Sequence, residues 1–114
     1  MILISSSYSK SFWSVNVEIT ESTTQNEDII DCTKDYIINI TEDNVILDCN
    51  GYTINGTGSF GISVFNVNNV TVKNCNINLS VGGDGIYYDN VSNGLIENNN
   101  VSIEGSNGIK ITGP

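Results

Sequence analysis

From Asn66 onward, apolar residues alternate with polar ones in short bursts: Val70-x-Val72, Ile77-x-Leu79, Val101-x-Ile103 and Ile109-x-Ile111. Alternation is the period of a strand with one buried face, and no burst has the i, i+3, i+4 spacing of a helix. Asn and Gly separate the bursts and mark bends. The bursts also recur. NVNNVTVKNCNINLSVGGDGIYYD, from Asn66, is followed by NVSNGLIENNNVSIEGSNGIKITG, whose start lies 24 residues later. Asn66 then falls on Asn90, Asn69 on Asn93, Asn74 on Asn98, Asn76 on Asn100, Val72 on Ile96, Ile77 on Val101 and Leu79 on Ile103. A fainter upstream copy sets Gly61-Ile62-Ser63-Val64 against Gly85-Ile86-Tyr87-Tyr88.

A period in the low twenties means a solenoid, whose units must stack to bury a core. A leucine-rich repeat needs several leucines per unit, and this unit has at most one. The β-branched alternation predicts strands instead. At about 3.3 Å per residue, one unit makes three short strands joined by bends, and each circuit rises about 4.8 Å. The expected fold is therefore all-β: a right-handed parallel β-helix, or β-solenoid, of about three to four coils with an N-terminal strand or cap segment. Residues 1–28 read as that N-terminal strand, linker or cap, and residues 29–114 as the β-helix domain. Trp13 to Ile19 reads as a strand and Glu21 to Asp28 as a polar loop. The predicted core is Ile46 or Leu47, with Ile54, Ile62, Val64, Val72, Ile77, Leu79, Ile86, Ile96, Val101, Ile103 and Ile109.

NGYTINGTGSFGISV, NNVTVKNCNI and GLIENNNVSI resemble the repeats of pectin-lyase-like parallel β-helix proteins. In style they are closest to the Asn-rich repeats of archaeal and bacterial surface proteins and of a periplasmic copper-processing family. The resemblance spans roughly Asp43 to Gly113, and Cys32 through Asn44-Val45-Ile46-Leu47-Asp48-Cys49-Asn50-Gly51 resembles the first coil of such proteins. It implies the fold and leaves activity open. Its lyases use a basic residue, often Arg, with calcium on carboxylates, and its hydrolases set an Asp beside His and Arg or Lys.

Composition narrows that field. The chain has 114 residues, 13 acidic against 4 basic, and a net charge of −9, with no His. All four basic residues are lysines (Lys10, Lys34, Lys73 and Lys110), and they are scattered. Phosphate backbones require clustered Lys or Arg, so nucleic acid is not an expected partner. An anionic membrane surface would repel the chain, and no apolar run is long enough to insert. Without Arg and His, neither the lyase nor the hydrolase set is complete. Asp84 and Asp89 flank one coil and could act as paired carboxylates; the plainer reading makes both strand-end turn residues. Copper handling wants His, Met or Cys, and only Met1 and three cysteines are present. No cofactor, metal ligand set or catalytic residue is assigned.

Cys32, Cys49 and Cys75 form no C-x-x-C pair. They fit buried thiols, or one disulfide, either Cys32–Cys49 or Cys49–Cys75, since stacked coils bring equivalent Cα atoms within bridging range. Asparagine has two readings as well. At tight bends it can turn inward and form ladders between coils, as at Asn74 with Asn98, or at Asn99 on the line of Cys75. It can also accept glycans: N-x-S/T occurs at Asn39, Asn55, Asn69, Asn78, Asn90 and Asn100. With 18 Asn and 22 Ser or Thr in 114 residues, chance alone would place about 3.5 such sites. Asn39 and Asn78 sit between apolar neighbours and should face outward by strand alternation.

These features favour a non-catalytic extracellular, cell-surface glycoprotein: a structural or adhesin-like β-solenoid. Its partner is a further copy, stacked head to tail into a filament, or the rest of a longer solenoid. The motivating feature is Ile109 to Pro114, where the pattern stops mid-coil without a polar cap. The alternative is a carbohydrate-active or polysaccharide-binding module. A groove with converging carboxylates and aromatics on one sheet face would favour it.

Overall fold

In the computed structural model the described residues are 17–32, 36–57, 60–80, 82–105 and 107–113; the side chains of Asp31 and Cys32 lie outside them. Each circuit lays down three strands. The first holds β1 (Val17–Ile19), β2 (Thr23–Thr24) and β3 (Ile29–Cys32), and the second β4 (Tyr36–Ile40), β5 (Ile46–Asp48) and β6 (Thr53–Gly56). The third holds β7 (Phe60–Phe65), β8 (Thr71–Lys73) and β9 (Asn76–Leu79), and the fourth β10 (Asp84–Asp89), β11 (Leu95–Glu97) and β12 (Asn100–Ile103). A last strand, β13 (Asn107–Thr112), lies on β10.

Equivalent strands pair in parallel and make three sheets: β1-β4-β7-β10-β13, β2-β5-β8-β11 and β3-β6-β9-β12. They are named here the wide sheet, the corner sheet and the asparagine sheet. The fold is a parallel β-solenoid of about four turns, as the repeat predicts.

Pairing in register carries each apolar residue onto its equivalent one coil away. On the wide sheet the inward rows are Val17, Ile38, Ile62, Ile86, Ile109 and Ile19, Ile40, Val64, Tyr88, Ile111. Leu47, Val72 and Ile96 continue the core on the corner sheet. Ile54, Ile77 and Val101 do so on the asparagine sheet. Gly85 is required by closeness: a Cβ there would stand 2.6 Å from the Gly108 carbonyl oxygen and 2.4 Å from Val101 Cγ1.

The predicted core holds for Leu47, Ile54, Ile62, Val64, Val72, Ile77, Leu79 and Ile86, all buried, and for Ile96, Val101 and Ile103, which are partly buried against it. Ile46 faces out and is 45% exposed, since Leu47 takes the inward place. Ile109 stands in an inward row yet is 45% exposed, because among the described residues no strand lies beyond β13.

Strand pairing reaches back to Val17, which meets Ile38. The segment expected as a loop, Glu21 to Asp28, contains β2 and the buried Gln25. Its strand is only two residues long, too short for alternation to show. Trp13 to Asn16, expected to begin the first strand, lie outside the described residues.

Candidate functional site

The bends are built by asparagine. Eight non-glycine residues among those described have positive φ, and all eight are Asn: 44, 50, 66, 69, 74, 90, 93 and 98. The left-handed region penalises ordinary L-residues, and Asn tolerates it through its short polar side chain. Because the bends stack, the amides form ladders. Asn69 Nδ2 donates to Asn44 Oδ1 at 2.9 Å, Asn90 to Asn66 at 2.9 Å and Asn93 to Asn68 at 3.0 Å. Asn98 donates to Asn74 at 2.6 Å, and Asn74 to the Asp48 carboxylate at 2.9 Å. The Asn74 bond is the main cause holding the Asp48 carboxyl below its ordinary 3.8; partial burial opposes it, and the Asn50 N–H and the Lys73 charge add to it. The expected Asn74–Asn98 pair therefore forms, but Asn98 is exposed on the outside of the bend, where the left-handed backbone directs it.

The inward place at this bend belongs to the column Gln25, Cys49, Cys75, Asn99. Cys49 and Cys75 are joined by a disulfide, with Cα atoms 4.7 Å apart. Above it, Asn99 accepts the Cys75 N–H at 2.8 Å and donates to the Val72 carbonyl at 3.0 Å. Below it, the Gln25 side chain donates to the carbonyls of Glu27 and Thr53. Outside the same bend is an open polar groove of about 430 Å³, lined mostly by Asn50, Asn74, Asn76, Asn98, Asn99 and Asn100.

The six sequon asparagines fall into different settings. Asn69 and Asn90 lie at bends with their nitrogens engaged in the ladders. Asn39, expected outward, is half-buried between Glu18 and Ser63, and its Oδ1 is sealed without a partner. Asn55, Asn78 and Asn100 are on the asparagine sheet, with Asn78 and Asn100 exposed.

On the outer side of the wide sheet, four aromatic rings close on one another. Phe60 is stacked between Tyr36, at 5.2 Å, and Tyr87, at 5.1 Å, and Phe65 meets both tyrosines edge-on. They lie over the outward Asn39–Ser63–Tyr87 row, where Ser63 is fully buried. Lys110 Nζ stands 5.6 Å from the Tyr87 ring centre. This cluster was not anticipated, although the 24-residue interval between Tyr36 and Phe60 signals it.

Asp84 and Asp89 sit at opposite ends of β10, five residues apart, or roughly 16 Å along an extended strand. Paired carboxylates of a glycosidase work at about 5–9.5 Å. Asp84 instead accepts from Asn107 and Asp89 from Thr112 in the following strand. Among the described residues no group of three or more His, Cys, Asp and Glu could hold a metal ion, and no helix is long and apolar enough to cross a membrane.

The last coil is the other distinctive surface. Ile111 is 68% exposed, Leu95 47% and Ile109 45%. Beside them is an apolar recess of about 250 Å³ lined by Tyr88, Val91, Gly94, Ile96 and Ile111. Tyr88 is buried by the same coils, and burial lifts its phenol above the usual 10.0. No family model, curated protein or solved structure matches the chain.

Proposed function

We propose that the chain is a non-catalytic, N-glycosylated structural module of an extracellular surface. Copies stack head to tail into a filament or surface layer, in the style of the Asn-rich pectin-lyase-like repeats it resembles. One observation carries the reading: Ile109 and Ile111 occupy rows that every earlier coil buries, yet are 45% and 68% exposed. A further parallel coil, of a second copy or of the rest of a longer solenoid, would cover them and pair the open edges of β11, β12 and β13. A contact between unlike ends propagates into a filament when its rotation does not close a ring. The Cys49–Cys75 bridge supports an oxidising compartment. The net charge of −9 opposes close approach of copies, so salt should favour assembly.

Light scattering against protein and salt concentration tests this. Growth into polymers is expected, and Ile111→Asp should abolish it while leaving the β spectrum intact. A folded monomer at all concentrations overturns the reading.

A sugar-binding face is the second reading, favoured by the four rings on the wide sheet. Against it, both faces of Phe60 are already covered by Tyr36 and Tyr87. Retention on immobilised polysaccharide, lost in Tyr87→Ala, would support it.

A further inference from the structure

The geometry points to Asn78 and Asn100 as the glycan acceptors of the folded chain, so that sugar covers the asparagine sheet and leaves the other two sheets and both ends bare. The inference rests on the glycoprotein reading above and selects among its six sites.

An acceptor needs a side-chain nitrogen that reaches solvent with room for a pyranose ring. Asn78 alternates with the inward Ile77 and Leu79, and Asn100 precedes the inward Val101; both are exposed and stand outside the amide ladders. Asn78 is paired with Ser102, and Asn100 with Asn76. The two acceptors are thus diagonal neighbours, about 8 Å apart at Cα from the spacing and rise of parallel strands. Asn55 is directly opposite Asn78, at about 5 Å between Cβ atoms, so two sugars there would collide.

The remaining sites are blocked in other ways. Asn69 and Asn90 aim their nitrogens at the coil beneath, each 2.9 Å from its acceptor. Both also hold the left-handed bend, at φ of 61° and 59°. A sugar joined there would stand between coils or pull the amide from the ladder. Asn39 is half-buried in the wide sheet. Glycans on one lateral face also leave the stacking direction clear.

Secretion of the chain from a eukaryotic host, with glycan mapping by mass spectrometry of the folded fraction, tests this. Two occupied sites are expected. Ser80→Ala and Ser102→Ala, which remove the sequons of Asn78 and Asn100, should each delete one glycan. Thr71→Ala and Ser92→Ala, which remove those of Asn69 and Asn90, should change no mass beyond the substitution. Sugar at Asn69 or Asn90 with Asn78 and Asn100 bare overturns this inference alone. Bare peptides at all six sites overturn the glycoprotein reading together with it.

Discussion

The ring of Tyr88 fills the space that a side chain at Gly94 would take: a Cβ there would stand 2.6 Å from Tyr88 Cε2. One coil earlier the same two places are Val64 and Val70, both buried. A medium pair has become a large one and a null one. The exchange lets the phenol cross the column and donate to the carbonyls of Val70, at 3.0 Å, and Leu95, at 3.2 Å. Gly94→Val alone should overpack the coil and cost about 1–3 kcal/mol. Tyr88→Val alone should leave a cavity and cost about 2–4 kcal/mol. The double variant restores the earlier pair, so its loss should fall short of the sum by about 0.5–3 kcal/mol in urea unfolding. Additivity would show that the two sites are independent.

Cys49 and Cys75 close a loop with a sequence separation of 26. Cross-linking a loop of this length removes about 3–4 kcal/mol of denatured-chain entropy. Cys75→Ser should therefore lower stability by about 2–5 kcal/mol. Wild type under reducing conditions should converge on the variant's melting curve.

Ile77 and Asn78 are neighbours on opposite faces of β9, one 1% exposed and the other open to solvent. Ile77→Asp places an unpaired charge in a narrow column and should cost more than about 4 kcal/mol, enough to unfold the chain. Asn78→Asp should stay within about 0.5 kcal/mol of the parent. Circular dichroism on heating distinguishes them, and equal effects would mean a different register.

Two groups make stability depend on pH with opposite signs. Asp48 is held below its ordinary 3.8, so its contribution is present above that value and is lost as pH falls through the folded pKa. The stability gap between wild type and Asp48→Asn should be constant near neutrality and close in acid. Tyr88 is raised above 10.0, so its neutral form supports the fold below pH 10.0, and that support is lost as the pH climbs toward the folded value. Tyr88→Phe should lose less stability than wild type between neutrality and strong alkali.

Much of the solenoid is legible because its later coils repeat cleanly. Ile77-x-Leu79 and Val101-x-Ile103 alternate, and both segments become paired strands of one sheet. The first coil is obscure because Thr23–Thr24 is two residues long and carries no apolar alternation. The ladders are half legible. Repetition identifies Asn74 with Asn98, but the direction of each side chain follows from its left-handed φ, which a residue name does not state. The aromatic cluster is hardest to read. Tyr36 and Phe60 share one register row, whereas Tyr87 belongs to the Ser63 row three positions further along the sheet, so three-dimensional packing alone gathers them. Asn99 is legible from its place on the line of Cys75, whereas the inward Gln25 is not, because the sequence does not mark the Glu27 and Thr53 carbonyls that accept from its amide.

Each Asn–Asn ladder bond donates from a later coil to an earlier one: Asn69 to Asn44, Asn90 to Asn66, Asn93 to Asn68 and Asn98 to Asn74. On a ribosome, which adds about 5–20 residues per second, a 24-residue coil emerges roughly every 1–5 s, far slower than the microseconds in which short strands pair. Each of these four ladder amides therefore leaves the exit tunnel to find its acceptor already in place. The ladders can close course by course behind the growing end, while other groups wait for the next coil: the Cys75 N–H for Asn99 and the Gln25 amide for the Thr53 carbonyl.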